Sequence, residues 1–266
     1  MTITTISAHI EPGAGLGASL ITPLALAEAF AAHLTALVFA ANAAEEAAPE
    51  AAEAAPEAAE AATAHLREAA TRGGIACELR DRGSFAHGIA EVLADHMRVS
   101  DLGILTLHGA PGPAARMLLA GAVFDTGRPL LLSPAHAPLA ALPRRVLVAW
   151  DATPAAVRAV HGALPLILRA EETLVATVTG DKEVRPGQSG IALTRLLARH
   201  GATARFLTLP QGAGVLPALA AAAMDHGVEM LAMGAVRHAP LHSMVFGSAT
   251  RDLLDRGPPL PLMLAA

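Results

Sequence analysis

The chain has 266 residues, a formal net charge of −5 and 16% charged residues. This length suits two domains of roughly 100–150 residues, each large enough to bury its own core. With only 3% aromatic residues and no basic patch, the composition argues against a nucleic-acid-binding protein.

Membrane insertion and disulfide bonding are also disfavoured. The longest apolar stretch, residues 23–44, is interrupted by Glu28, His33 and Asn42, which is unlike a membrane-spanning helix. The first six residues lack the positive charges of a signal peptide, and Cys77 is the single cysteine. We therefore expect a cytoplasmic protein without an internal disulfide.

The first half, residues 1–141, reads as a degenerate α/β domain. Strands are expected over residues 1–6, 102–107 and 130–132, with a helix and second strand in residues 23–41 and a later helix from about Ala114. The glycine-rich turn in residues 11–17 does not have the spacing of a dinucleotide fingerprint. We therefore expect no dinucleotide site there.

An acidic low-complexity insertion is predicted within this half, at residues 43–62. It contains six glutamates and no basic residue, and it repeats Ala-Pro-Glu-Ala-Ala-Glu at 48–53 and 55–60. Prolines interrupt helices, and the composition offers no core. We expect a mobile segment here, followed by a helix over residues 61–72.

A duplication is visible in two pairs of short motifs. Asp95-His96 and Asp225-His226 lie 130 residues apart, and Asp-x-Gly-x-Pro segments begin at Asp125 and Asp255 with the same spacing. In both copies, the first motif closes a helical run and the second precedes a terminal apolar strand. The chain is therefore predicted to contain two copies of one unit.

The second half, residues 142–266, alternates strands and helices. The strands are expected over residues 145–150, 173–179, 204–209, 228–233 and 260–264. We predict an α/β chain of two tandem, doubly wound, Rossmann-like domains, each a five-stranded mostly parallel sheet with helices on both faces. Such sheets bind ligands at the carboxyl ends of their strands, where Asp151, Val178 and Gly234 should lie together.

A glycine-bounded loop after the fourth strand of this half is a candidate phosphate site. The strand runs into Gly234, and an irregular segment leads to Gly247, Ser248 and a helix over residues 249–256. Glycines allow close backbone approach, and the positive end of a helix attracts anions. No such loop and no Gly-Ser pair follow residues 102–107, so the first half is expected to lack the site.

In its first strand and its glycine-bounded loop, the second half resembles a universal stress protein domain. The whole chain resembles the tandem form of that family. Residues 145–153 are similar to the family's first strand and Asp-Gly-Ser-like turn. Gly234, Arg237 and Gly247-Ser248 fall on the signature G-x2-G-x9-G-[S/T]. The resemblance implies a cytoplasmic, dimerising fold that in some members binds ATP or ADP, with or without Mg²⁺.

The resemblance also implies roles for individual residues. Asp151 would hydrogen-bond the ribose or adenine, and the backbone at Val178 would contact the adenine. The phosphate chain would be held by the following residues: Gly234 and Gly247 in the loop, Ser248, and the backbone N–H groups of Ala249 and Thr250.

Arg237 departs from this signature, since the family has glycine there. If the position needs a left-handed backbone or close approach to phosphate, arginine is strained by about 1–2 kcal/mol and blocks the site. If the loop is shifted, its guanidinium pairs with phosphate. The sequence is compatible with both alternatives.

Two functions follow from the sequence. The first is a stress-response regulatory protein that binds ATP or ADP in its second half. The alternative is a tandem scaffold without nucleotide, acting through self-association, pairing of its two halves or another protein. We identify no catalytic residue, so enzymatic activity is limited at most to weak ATP hydrolysis. His238 and His242 lack a third ligand, so no metal site is predicted.

Overall fold

The computed structural model describes residues 2–39, 49–81, 89–180, 189–210, 212–238, 245–246 and 248–266. In these ranges the chain forms eight α-helices and twelve β-strands, which confirms the predicted α/β class. Among the described helices, none has both the length and the apolar character needed to cross a membrane.

The first half forms a parallel sheet in the order β3-β2-β1-β4-β5. Its strands are β1 (Thr5–Ile10), β2 (His33–Val38), β3 (Cys77–Asp81), β4 (Leu102–Leu107) and β5 (Leu130–Pro134). Its helices are α1 (Leu16–Phe30), α2 (Pro49–Arg72), α3 (Ile89–Arg98) and α4 (Pro113–Phe124), with a 3-10 turn at Gly13–Gly15.

The second half repeats this order, as β8-β7-β6-β9-β12. Its strands are β6 (Arg145–Ala149), β7 (Glu172–Thr179), β8 (Ala204–Pro210), β9 (Met230–Gly234), the short β10 (Arg237–His238) and β11 (Val245–Phe246), and β12 (Leu262–Ala265). Its helices are α5 (Pro154–Ile167), α6 (Gly190–Arg199), α7 (Val215–Asp225) and α8 (Ser248–Arg256). The repeated strand order agrees with the predicted duplication.

The two halves share one ten-stranded sheet. Strand β12 pairs antiparallel with β5 and parallel with β9, and Leu130 lies opposite Leu264 in the antiparallel pair. All other neighbouring strands of this sheet are parallel. The last strand of each half is therefore the seam at which the halves join.

Hydrophobic cores cover both faces of the sheet. Because side chains alternate along a strand, Leu131 and Met230 face one core, whereas Leu132 and Leu231 face the other. Helices α1, α2, α5 and α6 pack on the first face, and α3, α4, α7 and α8 on the second. Burial on both faces explains why the strands read as continuous apolar runs.

Two arginines connect the halves outside the sheet. Arg116 of α4 donates from Nη2 to the carbonyl oxygen of Leu254 in the last turn of α8, at 2.9 Å. On the other face, Arg169 donates from Nη1 to the carbonyl oxygen of Ala29 near the end of α1, at 2.6 Å, and lies over the Phe30 ring. Each cation thus meets the negative end of a helix in the other half.

The prediction that prolines keep residues 49–60 from forming a helix is wrong. Helix α2 begins at Pro49 and continues through Pro56 to Arg72, whereas residues 43–48 of the predicted insertion lie outside the described residues. Proline is tolerated at a first helical position, and the alanines and glutamates around Pro56 favour a helix strongly. Ala62 and Leu66 then anchor the helix in the core.

Candidate functional site

In the second half, the order in which strands are added to the sheet reverses between β6 and β9. From β6 the chain continues outward to β7 and β8, whereas β9 leads to β12 on the other side. Doubly wound sheets bind ligands in the crevice outside the carboxyl ends of the strands at such a boundary. The candidate site of the second half therefore lies beyond the ends of β6 and β9.

Asp151 lies at this boundary, two residues after β6. Its Oδ1 accepts hydrogen bonds from the backbone N–H of Thr153 at 3.1 Å and from the Thr153 hydroxyl at 2.6 Å. The same hydroxyl oxygen accepts from the backbone N–H of Ala156 at 3.2 Å and so caps the start of α5. The carboxylate is therefore held in a fixed turn between strand and helix.

Ala152, between these two residues, has a left-handed backbone with φ of 60°. This conformation costs an alanine about 1–2 kcal/mol relative to a right-handed one. A glycine would adopt this conformation without that cost. The turn that orients Asp151 therefore contains local backbone strain.

Gly234 ends β9 directly beside the first turn of α5. A Cβ atom at this position would lie 2.5 Å from the backbone nitrogen of Ala156 and 2.7 Å from the carbonyl carbon of Ala155. Only glycine therefore lets α5 approach β9 this closely. The sequence pattern suggested a phosphate role for this glycine and missed its packing role.

Val178 lies near the end of β7 and is 9% exposed. It is paired with Leu209 in β8, and it lies two residues beyond Ala176, the last residue of β7 in register with β6. The neighbouring Thr177 hydroxyl donates to the Trp150 carbonyl oxygen at 3.0 Å. The structure thus brings Asp151, Val178 and Gly234 to one edge of the sheet.

The loop after β9 contains a short antiparallel strand pair, which the sequence did not predict. Arg237 lies opposite Phe246, and His238 lies opposite Val245. Arg237 therefore has the extended backbone of a strand, so the left-handed strain expected by one interpretation does not arise. Gly247 lies outside the described residues.

Helix α8 follows this loop and begins at Ser248. Ala249 and Thr250 lie in its first turn, where backbone N–H groups have no partner within the helix. The Thr250 side chain is 6% exposed and faces an apolar cavity between α4 and α8. Any anion-binding contribution from Thr250 would therefore come from its backbone N–H rather than from its hydroxyl.

The corresponding boundary in the first half lies between β1 and β4. Ile6 is in register with Leu102, as Val146 is with Met230, so Glu11 takes the place of Asp151 and Thr106 that of Gly234. Only five residues, 108–112, connect β4 to α4, compared with the thirteen residues 235–247 between β9 and α8. The first half thus has an acidic residue at the boundary but no comparable loop.

A buried histidine lies behind this first boundary and was not identified from the sequence. His9 Nε2 lies 2.8 Å from the Phe39 carbonyl oxygen and 3.5 Å from Glu11 Oε2. Complete burial lowers the pKa of His9 to about 4, with a smaller contribution from the charge of His108. Side chains alternate along β1, so His9 points towards the face of the sheet that α3 and α4 cover. This alternation is the sequence feature from which its burial could have been predicted.

Metal ligands do not gather at either boundary in the described part of the chain, where no three His, Cys, Asp or Glu side chains form a group that could hold a metal ion. The site is thus built from backbone groups, a carboxylate and small side chains. This arrangement defines a doubly wound α/β protein with one extended switch-point loop.

Three solved structures are similar to this chain over nearly its whole length. A universal stress protein from Archaeoglobus fulgidus has a TM-score of 0.73 and 15% identity, with 98% of this chain and 97% of that chain covered. A Pseudomonas aeruginosa protein assigned to the universal stress proteins has a TM-score of 0.63 and 16% identity, over 99% and 93% of the two chains. A functionally unknown Pseudomonas aeruginosa protein has a TM-score of 0.61 and 16% identity, over 99% and 92%.

These similarities show the fold. The chain has the fold of the universal stress proteins, with two halves in tandem, as the sequence predicted. No family model and no curated protein matches the sequence.

Proposed function

We propose that this chain is a stress-response regulatory protein whose second half binds ATP or ADP at the β6–β9 boundary. One observation supports the proposal most strongly. Asp151 follows β6 and Gly234 ends the adjacent β9 at the switch point, and a thirteen-residue connection leads from Gly234 to the start of α8. The stress-response role is suggested by the universal stress proteins of the same fold.

The chemistry of these groups suits a nucleoside and its phosphates. A carboxylate accepts about four hydrogen bonds, so Asp151 can hold its turn and a ribose hydroxyl together. Ser248 and the N–H groups of Ala249 and Thr250 are assigned to the phosphate oxygens, which the positive end of α8 attracts. Occupancy would change the surface that the protein presents to partners, and no catalytic residue is assigned.

Replacing Asp151 by asparagine tests the ribose or adenine contact. Asparagine keeps an acceptor oxygen for Thr153 but removes the charge, so the turn should persist while binding of ATP or ADP weakens by about tenfold or more. Calorimetric titration with and without Mg²⁺ measures this change, and Trp150 fluorescence reports it independently. Glu11→Gln, at the equivalent position of the first half, is the matched control and should leave affinity unchanged.

Two further variants test the phosphate side. Ser248→Ala should weaken nucleotide binding and leave the fold intact, so unchanged affinity would count against a phosphate contact. Arg237→Gly separates the two interpretations of that arginine, because the extended backbone there accommodates either residue. Weaker binding would identify Arg237 as a phosphate ligand, and tighter binding would identify it as an obstruction.

A specific observation favours the alternative of a scaffold without nucleotide. The missing side chain of Gly234 is already accounted for by the close approach of α5, so this glycine does not require a phosphate. Absence of both a Trp150 fluorescence change and a thermal shift at millimolar ATP and ADP would contradict nucleotide binding and favour the scaffold.

A further inference from the structure

A cavity of about 200 Å³ lies between α4 and α8, above β12. These are the fourth helices of the two halves, and they pack on the same face of the sheet, on either side of the seam. The walls are formed mainly by buried aliphatic side chains, including Leu119, Val123, Leu253, Leu254 and Leu264. The cavity is therefore a property of the tandem arrangement and belongs to neither half alone.

The lining offers no unengaged charge to a ligand. Arg116 is the charged residue among the described lining residues, and its Nε donates to the Pro111 carbonyl oxygen at 2.9 Å. Its Nη2 donates to the Leu254 carbonyl oxygen at 2.9 Å and lies 3.6 Å from Asp255 Oδ1. A charged or strongly polar ligand would lose its hydration without gaining partners here.

Size and access define the ligand further. Enclosed apolar cavities of roughly 150 Å³ bind molecules such as benzene, and the α4–α8 cavity has a similar volume but is open to solvent beside Met117. Met117 lines the cavity with a 68% exposed side chain, and the unbranched, flexible methionine can move aside for entry. We infer that the α4–α8 cavity binds an uncharged, apolar molecule of roughly six to nine non-hydrogen atoms, the size of a substituted single ring.

Toluene is the probe for this site, and the full chain is titrated with it in the absence of nucleotide. We expect saturable shifts of the methyl signals of Met117, Leu119, Leu253 and Leu254 in ¹H–¹³C spectra, together with a higher melting temperature. Failure of this titration would leave the nucleotide proposal unaffected, because the β6–β9 boundary is tested separately.

A variant that fills the cavity tests whether toluene binds there. Ala120 lines the cavity, so Ala120→Leu should weaken toluene binding at least roughly tenfold by occupying the space. Ala114→Leu makes the same change on α4 at a residue that does not line the cavity, and it should bind toluene as the unmodified chain does. If Ala120→Leu does not fold by circular dichroism, Ala120→Met serves instead, since methionine adapts to irregular space.

Several results would overturn the inference. Methyl shifts that do not saturate, or equal toluene affinity in the filling variant and the unmodified chain, would exclude this cavity as the site. A second copy of the chain covering the cavity would also exclude it. In that case sedimentation would show a dimer that Met117→Glu dissociates, and toluene would not bind.

Discussion

Gly234→Ala provides the sharpest test of how the second half is packed. The added Cβ would lie 2.5 Å from the backbone nitrogen of Ala156, 2.7 Å from the carbonyl carbon of Ala155 and 3.0 Å from its Cβ. Favourable carbon contacts begin near 3.5 Å, so the first turn of α5 must retreat by about 1 Å. Backbone atoms cannot turn aside as a flexible side chain can.

The expected cost follows from this forced movement. Overpacking of a tight core costs about 1–3 kcal/mol, and the clash with backbone places Gly234→Ala at about 2–3 kcal/mol. For a protein of this size this corresponds to a drop in melting temperature of roughly 4–12 °C. Urea denaturation in the absence of nucleotide measures the change in the free energy of unfolding.

Gly17→Ala is the matched control. Gly17 is exposed near the start of α1, and a Cβ there would meet no atom within 4 Å. Its free energy of unfolding should stay the same or rise by about 0.5–1 kcal/mol, since alanine favours a helix. If the free energy of unfolding of Gly234→Ala lies within about 0.5 kcal/mol of that of the unmodified chain, the position of α5 does not depend on this glycine, and the packing argument is refuted.

Three other expectations concern single residues. Stability should fall between pH 6.5 and pH 4, by about 2 kcal/mol at pH 5, because His9 has a pKa of about 4 when folded and protonates near 6.5 only when unfolded. His9→Gln, which does not titrate, should lose this component in denaturant titrations at pH 7.5 and 5, and an unchanged pH dependence would contradict the assignment. Ala152→Gly should raise the free energy of unfolding by about 0.5–1 kcal/mol, because it relieves the left-handed backbone with φ of 60°, whereas a decrease would argue against strain there. Burial raises the pKa of Cys77 to about 11, so its alkylation by iodoacetamide at pH 8 should be roughly 100-fold slower than for an exposed cysteine, as followed by mass spectrometry. Reaction of the folded chain at the rate of the urea-unfolded chain would refute this.

The positions of most strands were predictable because burial on both faces leaves continuous apolar runs in the sequence, although β1 (Thr5–Ile10) begins later than the expected residues 1–6. Residues 102–107 were expected as a strand, and β4 has these bounds with every residue buried. Parallel strands separated by helices also bring their carboxyl ends to one edge. The position of Asp151 beside Gly234 could therefore be anticipated without any knowledge of the turn between them.

Features that depend on distant surfaces were not predictable. Pro56 lies inside α2, because helix propensity and core contacts around it outweigh one missing hydrogen bond. Arg237 and Phe246 pair in strands of only two residues, which are too short to show the alternation of polar and apolar residues that predicts a strand. The packing of Gly234 on α5 depends on the distance between two elements, which no local pattern records.

The seam between β5 and β12 has a consequence for synthesis on the ribosome. Leu130 pairs with Leu264, so its antiparallel partner is translated 134 residues later. At about 5–20 residues per second, this interval lasts on the order of 10 s. During that time the nascent first half presents an apolar, hydrogen-bonding strand edge to its surroundings. Until β12 is made, this edge is a place where another chain can add a strand, which is the hazard that unpaired strand edges carry.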